Sequence, residues 1–468
     1  MLLSNKIQSV HFIGIGGAGM SAIAKVLLKH GYHVSGSDLE QNSYTTRLAE
    51  AGARIFRGHA AANLGSADLA VVSSAVPPDN VERMAAVERG IAVWQRARML
   101  AAIMDTGHSI AIAGAHGKTT TTSMIGLALV RAGLDPTVVV GGELNDFGGN
   151  ARVGQGALVV AEADESDGSF LLMRPDLAVV TNVEADHLDY WKTFEALLQG
   201  YVEFVGRLKP GGKAVVCVDG SGGRETLVRC GRDALTYGLA PTEAEWQARA
   251  IEVRPEATRF ECFHKGKPLG EVSLAVPGRH NVANALAALA VAAEHGVDFA
   301  MTRQVLSEYR GVERRWQLVG AEGGVTVVDD YAHHPTEIAA TLAAARSCQG
   351  QGGGRIVCIF QPHRYSRTQL LGDQFGPAFS AADLVVVTDI YSAGEKPIAG
   401  VSGEAVFSSV RRHCGSEAYY MADKNQIAPF LAGWLQSGDL AVTMGAGDIW
   451  RLGRPLLQAL RQRAGAPI

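Results

Sequence analysis

The residues best suited to chemistry lie in AIAGAHGKTTTTS, the segment from residue 111 to residue 123. An apolar strand there leads into a glycine-containing turn, then Lys118 and Thr119, then a predicted helix from Thr120 to Arg131. In such a turn the backbone N–H groups face the phosphates of a nucleoside triphosphate, and the helix N-terminus adds partial positive charge. Lys118 can contact the β and γ phosphates, and the Thr119 hydroxyl can bind Mg²⁺. The segment therefore predicts a phosphate-binding loop.

This loop departs from the common G-x-x-x-x-G-K-[ST] pattern at one position. The residue five before Gly117 is Ile112, and the upstream glycine is Gly114. A GKT string after a strand also arises by chance, so the string alone says little. Here the strand, turn, lysine, hydroxyl and helix agree, and together they favour a phosphate loop over a purely structural turn.

A second glycine pattern stands near the start of the chain, in VHFIGIGGAGM. Gly14, Gly16 and Gly19 follow a predicted strand and open a helix, as in the dinucleotide-binding βαβ unit. Asp38, at the end of the next strand, lies 19 residues after Gly19, where a ribose-binding acid is expected. The pattern predicts a bound diphosphate. It leaves open whether that diphosphate belongs to NAD or to a nucleotide sugar.

The composition limits the classes of partner. With 468 residues, 47% hydrophobic and 19% charged, the chain is long enough for two or three domains with full cores. A formal net charge of −4 gives no general attraction to nucleic acid. The beginning MLLSNKIQSVHFIGIGG predicts no signal peptide, and the lack of an apolar run of ~18 residues predicts no membrane insertion. Six cysteines without C-x-x-C spacing are typical of reduced thiols, so we expect a cytoplasmic protein.

Strands alternate with helices along the chain, which favours an α/β fold with parallel sheets. We predict three domains: a Rossmann-like domain over 1–106, a central P-loop ATPase-type domain with a mixed sheet over 107–313, and a Rossmann-like domain over 314–468. The predicted strands lie near 9–14, 32–36, 68–73, 91–94, 108–113, 157–161, 177–181, 214–218, 325–329, 355–361, 384–388 and 440–443, with a β-rich piece over 246–276 and a helix over 281–295. The segment EYRGVERRWQ, 308–317, is predicted to be a linker.

Charged and polar clusters follow the predicted strands at their carboxyl ends. In open α/β sheets this edge is where ligands bind. One polar residue at a strand end is an ordinary turn former, but six clusters on the same edge favour binding sites. They contain Glu162 in EADESDGSF, His187 in EADHLD, Asp330 in DDYAHHPTE, His363, Arg364 and Arg367 in QPHRYSRT, Asp389 in TDIY, and Asp448 in GAGD.

Two of these clusters are expected beside the phosphate loop. Glu162 suits the oxygen-rich coordination of Mg²⁺, together with the Thr119 hydroxyl. His187 is a less usual magnesium ligand, so it can serve a second ion or a transferring phosphate. The neighbouring acids Asp164, Glu165 and Asp167 fit either a metal site or a solvated loop.

The later clusters suggest amide and cationic contacts. Asn281 and Asn284 share one face of a predicted helix and can contact a purine edge, although Asn281 can equally cap the helix. The pair Arg314-Arg315 is either solvated or a phosphate clamp. A cationic pocket for a small carboxylate is predicted from His363, Arg364 and Arg367.

With these motifs the chain resembles the Mur ligases. The resemblance extends nearly end to end and rests on HFIGIGGAGMSAIA, GAHGKTTTTSM, EADESDGSF, TNVEADHLDYW, PGRHNVANALAA, GVERRWQ, DDYAHHPTEI, FQPHRYSRT, TDIYSAGE and GAGDIW. It implies an ATP-dependent ligase that uses Mg²⁺ and joins L-alanine to the lactyl carboxylate of UDP-N-acetylmuramate through an acyl phosphate. It also implies a monomer or homodimer, with the UDP part of the sugar substrate, not NAD, on the first domain.

The resemblance implies roles for individual residues. Catalytic roles fall on Lys118, Glu162, His187, Arg315 and Asp330. Implied ATP contacts are Gly114, Ala115, His116, Gly117, Lys118, Thr119, Thr120, Asn281, Asn284 and Arg315, and the metal set is Thr119, Glu162 and His187. Implied UDP-sugar contacts are Gly14, Gly16, Gly17, Gly19, Met20, Ser21, Asp38, Ser73 and Ser74. Implied amino-acid contacts are Tyr331, His333, His363, Arg364 and Arg367.

Three other functions remain open at this point. A recycling ligase that attaches a whole peptide to the same sugar nucleotide would share the motifs and differ around the amino-acid pocket. A nicotinamide-dependent dehydrogenase would use the first glycine pattern. A P-loop switch without ligase activity would use only the second.

Overall fold

A computed structural model describes residues 3, 4, 6–239, 243–254, 257–350 and 352–465 of the chain, without side chains for 464 and 465. The chain forms two compact units. The first contains residues up to Arg249 together with Glu261–Val272 and Ala283–Arg310. The second contains Ala250–Phe260, Ser273–Val282 and the chain from Gly311 onward.

The first sheet is five-stranded and parallel, with the order β3-β2-β1-β4-β5. Its strand order reverses direction between β1 and β4, and the loop after β1 carries the first glycine pattern at this switch point. The elements are β1 (Ser9–Ile13), α1 (Ala18–Lys29), β2 (His33–Asp38), α2 (Ser43–Glu50), β3 (Arg54–Arg57), β4 (Leu69–Val72), α3 (Val81–Glu88), β5 (Ala92–Gln95) and α4 (Arg96–Met104).

The second sheet has ten strands in the order β15-β14-β13-β12-β11-β10-β6-β9-β7-β8. It is mixed, because β7 and β8 pair antiparallel whereas β6 pairs parallel with both β9 and β10. Its elements are β6 (His108–Ala113), α5 (Lys118–Arg131), β7 (Thr137–Leu144), β8 (Gly149–Arg152), β9 (Leu158–Glu162), β10 (Leu177–Val180), α6 (Leu188–Trp191), α7 (Phe194–Gly206), β11 (Lys213–Cys217), α8 (Ser221–Cys230), β12 (Ala234–Gly238), β13 (Trp246–Val253), β14 (Thr258–His264), β15 (Lys267–Leu274), α9 (Arg279–Glu294) and α10 (Phe299–Glu308).

The third sheet lies in the second unit and has six strands in the order β16-β17-β21-β18-β19-β20. All its pairs are parallel except β16 with β17. The elements are β16 (Gln317–Glu322), β17 (Val325–Asp330), α11 (Pro335–Gln349), β18 (Ile356–Phe360), α12 (Tyr365–Leu371), α13 (Phe375–Ala378), β19 (Leu384–Val387), α14 (Gly403–His413), β20 (Glu417–Tyr420), α15 (Ile427–Trp434), β21 (Leu440–Met444) and α16 (Gly453–Gly465).

The apolar cores explain why the central strands are hydrophobic along their whole length. In β18, Cys358 and Phe360 enter the core on one face of the third sheet, while Val357 and Ile359 enter the core on the other. Strands covered by helices on both faces need no polar alternation. The largest core of the first unit contains Phe170, whose ring stacks on that of Phe204 with 5.1 Å between centroids.

These sheets confirm the predicted α/β class with three sheet-containing domains, and every predicted strand is present. The boundaries 1–106, 107–313 and 314–468 stay a prediction. Prediction missed β3, β7, β8, β12, β16 and β20. Of these, β3, β8, β16 and β20 are edge strands. Edge strands are short and half polar, so they lack the apolar run that marks a buried strand.

Two further expectations concern membranes and thiols. No helix in the described part of the chain is long and apolar enough to cross a bilayer. The six cysteines form no disulfide in the structure, and their reduced state stays a prediction.

Candidate functional site

The phosphate loop connects β6 to α5 and is shaped by two glycines in the left-handed region. Gly114 has φ +143°, and a Cβ there would lie 1.9 Å from the Thr181 hydroxyl oxygen. Gly117 has φ +81°, and a Cβ there would lie 2.5 Å from Asn284 Oδ1. A side chain is therefore excluded at both positions by backbone conformation and by space. Since Gly117 is the N-cap of α5, no side chain caps the first-turn amides of this helix.

Residues after β10 fix the rest of the loop. The side-chain oxygen of Asn182 accepts from the His116 N–H at 2.9 Å, and its amide donates to the His116 carbonyl at 3.0 Å. Thr181 also donates to that carbonyl, at 2.6 Å. The Ala115 N–H donates to the Asn182 carbonyl at 3.3 Å. The loop is thus held from the neighbouring strand, and prediction from sequence had given Asn182 and Thr181 no role.

The Lys118 ammonium donates hydrogen bonds to a carboxylate and to a backbone carbonyl of its own loop. This group donates to both carboxylate oxygens of Glu165, at 2.7 and 2.8 Å, and to the Gly114 carbonyl at 2.5 Å. Burial acts to lower the pKa of Lys118, but the carboxylates of Glu165 and Asp164 outweigh it and raise that pKa. Lys118 therefore stays a cation, placed across its own loop.

Glu165 is the residue beside the phosphate loop for which sequence reasoning left two alternatives open. Its side chain is 1% exposed, so the solvated-loop alternative is wrong for this residue. Burial raises the pKa of Glu165 to about 7, against the opposing effect of Lys118. Its backbone carbonyl accepts from the Trp191 indole at 2.8 Å, which fixes the position of the peptide. By contrast Asp167 is exposed and accepts from the Ser169 N–H, as a turn former does.

Asp164 forms the third acid of this loop. Arg96, the first residue of α4, donates to its carboxylate at 3.1 Å. Burial acts to raise the pKa of Asp164, but Lys118 and Arg96 outweigh it and lower that pKa. The pKa values of the two neighbouring acids are thus shifted in opposite directions, and Arg96 is one of the charges that lower the pKa of Asp164.

The side chains of the predicted metal ligands Thr119 and Glu162 lie next to each other, as expected. The Thr119 hydroxyl lies 3.2 Å from Glu162 Oε2, while Glu162 Oε1 accepts from the Gly141 N–H at 2.7 Å. A carboxylate and a hydroxyl beside a phosphate loop are the hard oxygen donors that Mg²⁺ prefers, so the residues present fit this ion. Gly141 on β7, which prediction missed, orients the carboxylate.

His187 lies at the same end of the sheet, after β10. Its Nε2 is 3.7 Å from Glu165 Oε1 and 3.5 Å from Asp186 Oδ2. The residue has φ +54°, and its N–H donates to the Asp186 carboxylate at 2.7 Å. This strained backbone aims the imidazole at the carboxylate that holds Lys118.

The two predicted amide contacts from α9 have separate partners. Asn281 lies within the helix rather than at its cap, and its amide donates to the Pro277 carbonyl at 2.7 Å. The capping alternative is therefore wrong. Asn284 accepts from the Thr121 hydroxyl at 3.1 Å, next to Gly117. Asn284 thus supports the start of α5, and its contact to a purine stays a prediction.

At the first glycine pattern, the glycines are needed partly for packing within the protein. Asp38 Oδ2 accepts from the Gly16 N–H at 2.8 Å, and a Cβ on Gly16 would lie 2.9 Å from the same oxygen. Gly14 has φ +84°, and its Cβ would meet Ser73 at 3.1 Å. At Gly19 the Cβ would lie 3.0 Å from the Arg96 guanidinium. Asp38 therefore shapes the loop directly, whereas its contact to a ribose stays a prediction.

Other predicted sugar-nucleotide contacts differ in exposure. Met20 and Ser21 are buried, and the Ser21 hydroxyl accepts from the Asn150 amide at 2.7 Å. Gly17 and Ser74 are exposed.

In the second unit, Asp330 ends β17 and organises the following loop. Its carboxylate accepts from the N–H groups of Trp316 and Ala332, both at 2.8 Å, and from the Thr341 hydroxyl at 3.3 Å. Burial raises the pKa of Asp330 to about 6, against the opposing effect of Arg315. These contacts establish a structural role for Asp330, and its catalytic role stays a prediction.

The pair Arg314-Arg315 is not solvated, so that alternative is wrong. Arg314 donates to Asp329 at 3.1 Å and to the Gly445 carbonyl at 2.5 Å. Arg315 lies 3.5 Å from Glu337, with its guanidinium 5.1 Å from the Tyr331 ring centroid. Arg314 is thus a structural tie, and only Arg315 keeps the predicted clamp role.

The predicted amino-acid pocket is brought together within the second unit. The His333 and His363 rings lie 5.8 Å apart, and His363 stacks on Tyr391 with centroids 5.7 Å apart. Burial lowers the pKa of His363 to about 4, with Arg367 adding to the effect. The Arg367 guanidinium lies 3.5 Å from His363 Nδ1. Since His363 is neutral, the positive charge in this pocket comes from arginine.

The position of Arg364 depends on an unusual backbone conformation. It has φ +67° and precedes α12, and its guanidinium reaches Glu395 at 4.0 Å. Its side chain is 48% exposed. Tyr391, which stacks on His363, is a neighbour that the sequence left without a role.

Three family models cover most of this chain. The Mur ligase family catalytic domain matches residues 9–108, the Mur ligase middle domain matches 112–292, and the Mur ligase glutamate ligase domain matches 314–447. The chain belongs to the Mur ligase family. Its members are ATP-dependent ligases, as the resemblance implied.

Similar Mur ligases include two named UDP-N-acetylmuramate--L-alanine ligase. The protein from Pelotomaculum thermopropionicum is 48% identical over 98% of this chain and 99% of its own length. The one from Geobacter sp. (strain M21) is 48% identical over 97% of this chain and 98% of its own length.

Solved Mur ligase structures share the fold. UDP-N-acetylmuramate-alanine ligase MurC from Thermotoga maritima aligns with a TM-score of 0.82 at 29% identity, covering 97% of this chain and 99% of that chain. A murein peptide ligase from Psychrobacter arcticus aligns with a TM-score of 0.72 at 25% identity, covering 98% and 100%. MurF ligase from Thermotoga maritima, solved in complex with ADP, shares the fold alone, with a TM-score of 0.62 at 18% identity.

Proposed function

We propose that this Mur ligase joins L-alanine to the lactyl carboxylate of UDP-N-acetylmuramate and converts ATP to ADP and phosphate. The observation that carries the choice of substrates is the 48% identity, over 98% of the chain, to a UDP-N-acetylmuramate--L-alanine ligase. The product would be UDP-N-acetylmuramoyl-L-alanine, a peptidoglycan precursor. Because the nucleotide substrates occur in the cytoplasm, we place the reaction there.

Each of the three predicted domains would have its own role in binding the substrates. Residues 1–106 would bind the UDP part of the sugar through the loop after β1. Residues 107–313 would bind ATP at the loop from Gly114 to Thr120. Residues 314–468 would supply the amino-acid pocket and close on ATP. The reversal of strand order at β1 and β4 supports the first assignment, because ligands bind at such a switch point.

In the first chemical step, the γ-phosphoryl group of ATP passes to a lactyl carboxylate oxygen and gives an acyl phosphate and ADP. Lys118 would leave Glu165 and neutralise charge on the transferring group. Its tether to the Gly114 carbonyl keeps the ammonium beside the loop amides during that exchange. Mg²⁺ held by Thr119, Glu162 and His187 would supply further neutralisation of phosphate charge.

In the second step, the amino group of L-alanine attacks the acyl carbon, and phosphate leaves from a tetrahedral intermediate. An arginine of the pocket would hold the alanine carboxylate, since guanidinium groups bind carboxylates through two hydrogen bonds. Arg367 and Arg364 supply that charge next to the neutral His363. Tyr331 and His333 would complete the pocket.

A phosphate-release assay tests the proposed function. Purified protein with ATP should release phosphate only when UDP-N-acetylmuramate and L-alanine are both present. Glycine, L-serine and a tripeptide that begins with L-alanine serve as alternative acceptors, and the Lys118→Met variant serves as the inactive control. Faster release with the tripeptide than with L-alanine would instead identify a peptide-recycling ligase.

Membership in the family decides against the dehydrogenase and the P-loop switch. A dehydrogenase would oxidise NADPH without ATP, and a switch would hydrolyse ATP without either substrate. Both reactions can be followed in the same assay as controls.

A further inference from the structure

A cavity of about 250 Å³ lies in the first unit, and Ser21, two residues after Gly19 of the first glycine pattern, is among its lining residues. Helices α1 and α2 form two of its walls, and the start of β8 covers it. Its lining includes Lys25, Leu28, Lys29, Tyr44, Arg47 and Leu48. No acidic residue is among the described residues that line it.

Three cations therefore converge on one small space. Lys25 is half-buried and donates to the Ala151 carbonyl at 2.8 Å. Arg47 forms two hydrogen bonds to Glu143, one of them at 2.8 Å, and Glu143 is not among the described residues that line the cavity. Lys29 is exposed at the mouth. Among the described residues that line the cavity, positive charges therefore outnumber carboxylates.

This excess of positive charge affects the pKa of Lys25. Burial lowers the pKa of Lys25, and the positive charges of Arg47 and Lys29 lower it further. A protein that collects like charges around a cavity loses stability unless an anion offsets them.

The remaining walls are apolar or aromatic. Leu28 and Leu48 face the cavity from α1 and α2, and the Tyr44 ring lies beside Arg47 with 5.5 Å between the guanidinium carbon and the ring centroid. Sites for small molecules combine such apolar walls with a few polar groups. We propose that this cavity is an accessory binding site for a small organic anion, a phosphate or carboxylate attached to a flat apolar group, with Lys25 and Lys29 holding the anion.

Occupation of this site has a direct connection to the predicted metal site. Glu143 and Gly141 both lie on β7, and the Gly141 N–H holds Glu162 at 2.7 Å. An anion that competes with Glu143 for Arg47 would therefore shift β7 and alter the support of Glu162. This connection to metal binding rests on the proposed function, whereas binding of the anion does not.

Phenyl phosphate is a suitable probe, and benzyl alcohol is its uncharged control. Isothermal titration of the full-length protein should give saturable binding of phenyl phosphate, with a dissociation constant of about 1 mM or below, and no binding of benzyl alcohol. Lys25→Met and Lys29→Met should each weaken binding about tenfold or more, because each removes a charge-assisted contact. The matched control Lys267→Met, which changes an exposed lysine on β15, should leave the dissociation constant unchanged.

Competition and exchange measurements separate this site from the substrate sites. The probe should still bind at saturating UDP and ATP, and it should change hydrogen exchange in the peptide containing β7. Lack of saturable binding, displacement of the probe by UDP, or an unchanged constant in both lysine variants would overturn the proposal. Lys29 is exposed, so its variant folds and gives a clear result even if Lys25→Met does not.

Discussion

Replacing Lys118 by Met tests the role of the phosphate loop and separates chemistry from folding. At an effective dielectric constant of about 20, two unit charges 2.8 Å apart attract each other by about 6 kcal/mol. Breaking a buried ion pair typically costs about 3–5 kcal/mol, because it leaves an uncompensated charge. Glu165 is 1% exposed, so we expect Lys118→Met to lose that much free energy of unfolding at pH 8. The loss should shrink at pH 5, where Glu165 is protonated.

The same variant should lose ligase turnover by ~10³-fold or more, as expected when a group that stabilises transition-state charge is removed. The double variant Lys118→Met, Glu165→Gln should regain most of the stability and none of the turnover. Urea unfolding followed by tryptophan fluorescence gives the first quantity, and coupled phosphate release gives the second.

A matched control is available in an ion pair that is less buried. Lys209 pairs with Asp176 at the same distance of 2.8 Å, but Asp176 is 30% exposed. Lys209→Met should therefore cost less than about 1 kcal/mol and leave turnover intact. Equal losses of stability in Lys118→Met and Lys209→Met, or turnover above one tenth of wild type in Lys118→Met, would refute this reasoning.

Three further predictions follow from the same structure. Gly16→Val would place a Cβ 2.9 Å from Asp38 Oδ2, so steady-state kinetics should show a KM for the UDP-sugar raised roughly tenfold or more, with the KM for ATP nearly unchanged. Arg364→Ala and Arg367→Ala should raise the L-alanine KM by about tenfold or more while the acyl phosphate can still be trapped by borohydride, and wild-type constants in both variants would place the carboxylate pocket elsewhere. Burial raises the pKa of Glu165 to about 7, so the folded state binds a proton that the unfolded chain releases at lower pH. Stability should therefore fall as pH rises from about 5 to about 8, by up to about 3 kcal/mol, and Glu165→Gln should flatten this dependence in urea titrations.

Local pattern in the sequence was enough to predict most of the strands, both glycine loops and the position of the charged clusters, although it missed the interior strands β7 and β12. A strand covered on both faces must be apolar along its length, and a loop that turns through φ +143° at Gly114 requires glycine. Both constraints limit which residue types can stand at consecutive positions of the chain, so both can be recognised directly in the sequence. The meeting of Thr119 with Glu162 was also predictable, because β9 pairs with β6 and both strands end at the same edge.

Tertiary structure alone decided which charged residues pair and which are solvated. Glu165 and Asp167 stand two positions apart in one acidic run, yet Glu165 holds Lys118 in the interior while Asp167 is exposed. Arg314 and Arg315 are adjacent, yet only Arg314 is tied to the Gly445 carbonyl. Burial and charge partners come from strands that are distant in sequence, and the pKa of a group depends on those partners. For that reason the sequence was enough to locate the candidate site, whereas the tertiary packing determined which charged residues within it form pairs and which are exposed.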